Sequence, residues 1–200
     1  EGQDERPLGF RIGGLRIARQ ARLEEGRPVR FGQKPGEKPA SPDPADLLVG
    51  GLFSREENGC WSHGEDGALL LAPGASLKPG WRLFLACRTL GGEPGQPARV
   101  ALLLDGEPIG HWAFIDPHPV LAEVPGIAAR LAGGGVATLG LRRIGAMSPH
   151  DLGQGHDRRR LGVMLFAAVA VGPEAAEARA RRLLAGLDPG LGTLPSLPVA

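Results

Sequence analysis

Four side chains that can bind ligands or metals crowd one short stretch of the sequence. His150, Asp151, His156 and Asp157 lie in a glycine-rich loop that begins at Ser148 and runs directly into an apolar, strand-like segment. A hard cation would need several oxygen ligands here, and zinc would need closely spaced nitrogen or sulfur ligands. Neither spacing is clean, and the alternative is a loop held by local Asx-type hydrogen bonds. We favour the hydrogen-bonded loop and expect no cofactor, with Ca²⁺ as the one ion to test.

Three tryptophans supply flat rings of the kind that stack on sugars. Trp81 alternates in phase with Leu83 and Leu85, which is the period of a strand face and predicts that its indole is buried. Trp61 lies between two glycine-rich turns, and Trp112 follows a hairpin signal. For these two the choice between core and ligand face stays open, with at least one of them expected in the core.

The candidate glycan-binding set joins the two open tryptophans to polar side chains. The indole rings would provide stacking faces, and the polar groups would hydrogen-bond sugar hydroxyls. Arg158 begins a run of arginines that is predicted to be a solvated strand entrance, with one arginine paired to a carboxylate such as Asp157. The full set is Trp61, Trp112, Glu57, Asp151, His156, Asp157 and Arg158.

No signature of a standard catalytic site occurs in the sequence. The nucleophile elbow, the Walker loop, the His-Glu-x-x-His motif and the Cys-x-x-Cys motif are all absent. No spacing among the acidic residues selects a glycosidase pair. An active site assembled from distant residues stays open but has no positive support in the sequence, so a non-catalytic protein is favoured.

Composition narrows the classes of function further. The chain has 200 residues, a formal net charge of +1, 42% hydrophobic and 22% charged residues, which is typical of a globular domain with a core. The near-neutral charge and the 4% aromatic content give no footprint of nucleic-acid binding. Two cysteines, Cys60 and Cys87, are expected as buried thiols rather than as a disulfide framework. No membrane span and no signal peptide are visible, and the compartment stays open with the cytoplasm slightly favoured.

Short apolar runs separated by turns must position these candidates. Strand-like segments recur between residues 47 and 171 with no long helical pattern among them, which predicts an antiparallel β-sandwich. Asp105-Gly106 lies between two such runs and predicts a type I′ hairpin, and Ile127–Leu131 predicts one helical turn. Residues 173–186 change to a helical period, with Pro173 expected at the first position of the helix.

The sequence divides into three parts on this basis. Residues 1–46 form an N-terminal strand and a Pro/Gly-rich arm, residues 47–172 form the sandwich, and residues 173–200 form a C-terminal helix and tail. Within the arm, residues 4–17 alternate like a strand that either completes this sandwich or ends a preceding one. Residues 18–46 are predicted to be a linker or surface loop, with no pattern to bury.

Three segments together resemble a known group of domains. Glu56–Ser62 fits Glu-x-x-Gly-x-Trp-Ser, Val100–Gly110 fits Val-x-Leu-Leu-Leu-Asp-Gly-x-x-Ile-Gly, and Ser148–Val163 fits Ser-Pro-x-x-Leu-Gly-x-x-x-Asp-x-Arg-x-Leu-Gly-Val. They resemble the accessory β-sandwich domains found beside glycosyltransferases in bacterial surface-polysaccharide proteins. The resemblance covers roughly residues 47–171. It implies a jelly-roll-like, galactose-binding-like sandwich associated with glycans, and it implies no catalytic mechanism.

Two functions follow as hypotheses. The first is a non-catalytic, carbohydrate-associated module that binds or positions a glycan or polysaccharide. The alternative is a structural or assembly subunit that docks onto a partner protein, or onto itself, through the arm, the sheet edges and the C-terminal helix. The arm and the helix motivate the alternative, because neither is needed to close a sandwich.

Overall fold

The computed structural model describes residues 22–33, 36, 47–52 and 55–197. The strand predicted over residues 4–17 lies outside this range. No helix in the described ranges is long and apolar enough to cross a membrane. The elements are β1 (Val29–Arg30), β2 (Leu48–Gly50), β3 (Cys60–His63), β4 (Asp66–Leu71), β5 (Arg82–Thr89), β6 (Ala98–Leu104), β7 (Glu107–Phe114), β8 (Val120–Val124), α1 (Ile127–Arg130), β9 (Ala137–Arg143), β10 (Leu161–Val171), α2 (Ala176–Leu187) and α3 (Pro189–Gly192).

The strands form two antiparallel sheets that pack face to face. The first sheet has the order β1-β10-β5-β8, with β3 also paired to β10, and the second has the order β2-β4-β9-β6-β7. From β3 to β10 the chain crosses between the sheets at every connection except the β6–β7 hairpin. The orders β3-β10-β5-β8 and β4-β9-β6-β7 are those of a jelly roll built from two Greek keys. The predicted antiparallel β-sandwich is confirmed.

Side chains from both sheets fill the space between them. Trp81, Leu83 and Cys87 lie in this core, as their common phase predicts. Cys60 and Cys87 are both buried thiols that form no disulfide, and they flank Leu165 from the strands on its two sides. Two strand spacings of about 4.8 Å separate the cysteines, which is too far for a disulfide. The prediction of two buried thiols is confirmed.

Local geometry confirms the hairpin and the short helix but moves the start of the long one. Asp105 and Gly106 both have positive φ, 50° and 89°, as a type I′ turn requires. The helical turn expected after residue 126 is α1. α2 begins at Ala176 rather than at Pro173, because Ala175 has a left-handed φ of 47° that separates the helix from the residues before it.

α2 covers part of the outer face of the first sheet and adds a third layer. Ala176, Ala180 and Leu184 are buried against a sheet surface that includes Phe84 and Val169. Alanines along this stripe let the helix approach the sheet closely. The predicted C-terminal helix is present, and its apolar stripe is used within the chain.

Part of the N-terminal arm is built into the sandwich, which corrects one expectation. The prediction of a surface loop over residues 18–46 is wrong for residues 22–33. β1 pairs with β10, and Leu23, Val29 and Phe31 are buried in the core between the sheets. The sequence does not predict the burial of these three residues, because their spacing is irregular and β1 is only two residues long.

Candidate functional site

Trp112 lies inside the core and offers no face to a ligand. Its side chain is 0% exposed, and its indole Nε1 donates a 2.9 Å hydrogen bond to the carbonyl of Glu123 on the opposite sheet. Its ring meets Phe114 edge to face, with the ring centroids 6.3 Å apart. Trp112 is therefore a core residue, and its indole ring has no exposed face on which a sugar could stack.

Trp61 lies on the outer face of the first sheet, beneath a stacked arginine. Met164 of β10 is flanked by Trp61 of β3 on one side and by Arg88 of β5 on the other. The guanidinium carbon of Arg88 is 5.3 Å from the ring centroid of Trp61 and 5.9 Å from that of Phe166. These cation–π contacts help to cover the indole, which is only 4% exposed. Trp61 thus supports Arg88 and does not present a bare ring.

The guanidinium of Arg88 makes no hydrogen bond to any described residue. Its Nε is buried and unpartnered, and the contacts that fix it are the two aromatic rings. Burial lowers the pKa of Arg88, and the carboxylate of Glu56 partly offsets this effect. Arg88 therefore holds hydrogen-bond donors that no described residue uses.

A cleft of about 330 Å³ opens beside this stack, and we call it the outer-face cleft. Met164 and Phe166 of β10 form its apolar floor, where the pairing of β10 with β5 shifts register. Leu191 and Leu194, which follow α2, close one end. The polar side chains on its rim are Arg30, Asn58, Arg88 and Asp188.

These rim groups differ in how far they are engaged. Arg30 donates to the carbonyl of Glu57 at 3.4 Å, near the limit of a hydrogen bond. Asp188 accepts a 2.9 Å hydrogen bond from the backbone N–H of Gly190. Asn58 is exposed at the tip of the loop before β3. A small number of polar groups converging on an apolar floor is typical of a small-ligand site.

The loop that precedes β10 is held by its own hydrogen bonds, as one of the two sequence alternatives predicted. The backbone N–H of Ser148 donates to Asp151 Oδ2, and the backbone N–H of Asp151 donates to Ser148 Oγ, both at 3.1 Å. The N–H of His150 donates to the carbonyl of Asp157 at 2.9 Å. Hydrogen bonding to Ser148 lowers the pKa of Asp151 below its ordinary value.

One arginine of the basic run pairs with carboxylates, which confirms the prediction of a solvated strand entrance. Arg159 lies 2.7 Å from Asp157 Oδ2 and 3.1 Å from Glu56 Oε1. Its hydrogen bonds lower the pKa of Asp157 and, in return, raise that of Arg159. Arg158 beside it is exposed.

The loop also forms a shallow depression on the surface. The depression has a volume of about 480 Å³, and its lining includes Ser148, His150, Asp151 and Arg158. His156 lies outside it and is exposed. In the described ranges, no three His, Cys, Asp or Glu side chains gather where a metal could be held. Calcium takes about six to eight oxygen ligands, and the carboxylate of Asp151 is already hydrogen-bonded.

The structure therefore separates the predicted site residues into three places. Trp112 is in the core, Trp61 lies beneath Arg88, and the loop residues 150–158 form a surface of their own. Glu57 is exposed and contacts Arg30 through its carbonyl, which places it near the outer-face cleft.

Sequence reasoning missed the residues that shape the outer-face cleft. Arg88 alternates with Leu85 and Cys87, so its phase along β5 points it to the outer face, and that signal was available. Arg30 gave no such signal, because the strand that carries it is too short to show a period. The floor residue Phe166 depends on the register shift in β10, which a period-two pattern does not predict.

Another cleft, of about 440 Å³, lies at one end of the sandwich beside α1. Its walls are mostly backbone and small apolar side chains, with Trp81 buried at 5% exposure. Arg22 and Lys78 are the charged side chains that line it. We favour the outer-face cleft, since there the polar groups converge on an aromatic floor.

Two solved structures are similar to this chain over most of its length. The CBM36-1 domain of a multidomain xylanase from the hindgut metagenome of Trinervitermes trinervoides is 13% identical, covering 73% of this chain and 96% of that one at a TM-score of 0.36. A carbohydrate-binding module CBM36 in complex with calcium and xylotriose is 9% identical, covering 72% and 98% at a TM-score of 0.35. No protein-family model matches the sequence, and no curated protein matches it significantly. Likeness this low leaves the function to be argued from the cleft itself.

Proposed function

We propose that this chain is a non-catalytic module that binds a glycan in the outer-face cleft. The observation that carries the proposal is the apolar floor of Met164 and Phe166 beneath a rim that includes Arg30, Asn58 and Arg88. A sugar ring presents apolar C–H faces and polar hydroxyl edges, so its site needs both kinds of surface. The floor would take the face of the ring, and the rim would take the hydroxyls.

The size of the cleft suits a short ligand. Its volume of about 330 Å³ is near the lower end of the roughly 300–1,000 Å³ that is usual for small-ligand sites. We infer that one or two sugar units occupy it. A longer polysaccharide would then be held at one end or at one branch.

Trp61 would contribute to glycan binding by holding Arg88 in place, and its own ring would not stack on the sugar. The indole is covered, and its contact with the guanidinium helps to hold Arg88 at the cleft. The exposed Glu57, next to Asn58, would extend the rim. The Trp-Ser segment would then still belong to the site, but the tryptophan would support an arginine instead of stacking on a sugar.

The resemblance noted in the sequence suggests where such a module would act. We infer that it holds a glycan for a glycosyltransferase of bacterial surface-polysaccharide synthesis, as an accessory domain. The absence of catalytic motifs supports a binding role. The same fold serves many functions, so the binding step is the one to test first.

A glycan array with the purified chain, run with and without Ca²⁺, tests the proposal. Wild-type protein should bind a defined sugar, and Asn58→Ala or Phe166→Leu should weaken that binding. Asp157→Ala and Arg158→Ala change the loop and serve as matched controls that should bind normally. Loss of binding in the loop variants alone would move the site to the 148–160 loop, and a silent array on folded protein would contradict glycan binding.

The assembly alternative has less support from the described residues. Docking through the C-terminal helix would need a free apolar stripe, but Ala176, Ala180 and Leu184 are buried against the first sheet. Residues 22–33 are likewise engaged with β10 and the core. A stable oligomer in solution that survives deletion of residues 1–21 would revive this alternative through the sheet edges.

A further inference from the structure

We propose that the sugar bound in the outer-face cleft carries a carboxylate, as a hexuronic acid does. This inference rests on the proposed function and names the class of glycan for the same cleft. Two arginines carry it. Arg88 comes from β5 and Arg30 from β1, which lie on the two sides of β10 and its floor residue Phe166.

Arg88 is prepared for an anion in geometry and in charge. Its guanidinium is held against Trp61 and Phe166, and no described residue accepts a hydrogen bond from it. A flat guanidinium with free terminal nitrogens matches a carboxylate through two parallel N–H···O bonds. Because contacts with two rings already restrict this side chain, less conformational entropy is lost when such a pair forms. Neutral hydroxyl groups would leave this cation without a counter-charge.

Arg30 places a second positive charge on the same cleft. Its side chain is half-buried, and the 3.4 Å bond to the carbonyl of Glu57 is long enough to yield to a stronger acceptor. With Arg88, it would set the carboxylate between two cations. Two cations converging on one cleft favour an anionic over a neutral ligand.

The acidic residues near the cleft are Asp188, Glu56 and the exposed Glu57. Asp188 lines the cleft and caps α3 through the N–H of Gly190. Glu56 is paired with Arg159 at 3.1 Å. Arg30 and Arg88 are the cations that line the cleft, and neither forms an ion pair with a carboxylate of a described residue.

Titration calorimetry with digalacturonic acid tests this inference, with its methyl ester as the neutral counterpart. Wild-type protein should bind the acid at least about tenfold more tightly than the ester, the factor expected for a charge-assisted pair. Arg88→Gln should remove this preference and Arg30→Gln should reduce it. Arg99→Gln deletes the same charge from the outer face of the second sheet and should leave the preference intact. Thermal melts confirm that each variant is folded.

The outcomes separate this inference from the proposed function. Equal binding of acid and ester, unchanged by Arg88→Gln, would overturn the carboxylate while leaving a glycan module in place. Binding of a sulfated disaccharide, with no affinity for the acid, would overturn it as well. No binding of any sugar on a broad array would overturn the proposed function, and the inference with it.

Discussion

The guanidinium carbon of Arg88 lies 5.3 Å from the centroid of the Trp61 indole ring. This contact joins the Trp-Ser segment of β3 to a strand that is not its sequence neighbour, across Met164 of β10. It gives the tryptophan an indirect role: it holds a cation at the edge of the outer-face cleft. The first prediction tests that contact.

Replacing Trp61 should weaken the hold of the protein on the Arg88 side chain. A buried or half-buried cation–π contact is worth about 0.5–2 kcal/mol, so a double-mutant cycle of Trp61→Leu with Arg88→Gln should give a coupling of that size in unfolding free energy. Trp61→Phe keeps an aromatic face and should retain most of it. Additive effects of the two substitutions would show that the contact does not position the arginine.

Trp112 should matter for stability and not for binding. Trp112→Phe removes the indole donor to Glu123 and leaves a small cavity, and it should cost about 2–4 kcal/mol in denaturant unfolding. Glycan affinity of the folded variant should match that of the wild type. A large loss of affinity at unchanged stability would return Trp112 to the binding site.

Two neighbouring arginines of β9 should behave in opposite ways. Arg143 is 3% exposed and donates to the carbonyls of Gly145 and Leu90, so Arg143→Ala should destabilise the fold by about 2–4 kcal/mol. Arg142 makes an exposed ion pair with Asp66, and Arg142→Ala should leave the unfolding midpoint close to that of the wild type. Similar midpoints for both variants would contradict the assigned role of Arg143.

The carboxylate of Asp151 should respond to its neighbour Ser148. Hydrogen bonding to Ser148 holds the pKa of Asp151 below its ordinary value of 3.8, so its contribution to stability is full above that value. That contribution is lost as the pH falls through the lowered pKa. Ser148→Ala should move the titration of Asp151, followed by NMR, toward 3.8, while Asp157 should be unaffected. An unchanged Asp151 titration would show that the hydroxyl of Ser148 does not lower the pKa of Asp151 in solution.

Patterns with a strict period predicted the sandwich well. Leu83, Leu85 and Cys87 alternate cleanly, and Asp105-Gly106 demands positive φ, so strand and hairpin follow from local chemistry. The same logic failed for β1, because two residues cannot show an alternation and their pairing with β10 is made at long range.

The candidate site was harder to predict, because it is assembled across strands. Arg30, Arg88 and Phe166 are far apart in sequence and meet only through the pairing of β10 with both of its neighbours. Conversely, His150, Asp151 and Asp157 are close in sequence, and their density suggested a site. In the structure, the Asp151 carboxylate and the backbone groups of His150 and Asp157 make hydrogen bonds within the loop.

An NMR titration of labelled protein with an acidic disaccharide tests the central claim most directly. Backbone and side-chain signals of Asn58, Arg88, Phe166 and Asp188 should shift together and saturate, because these residues surround the outer-face cleft. Signals of residues 148–160 should stay in place. Shifts confined to that loop, or no saturable shifts with any glycan, would contradict binding in the outer-face cleft.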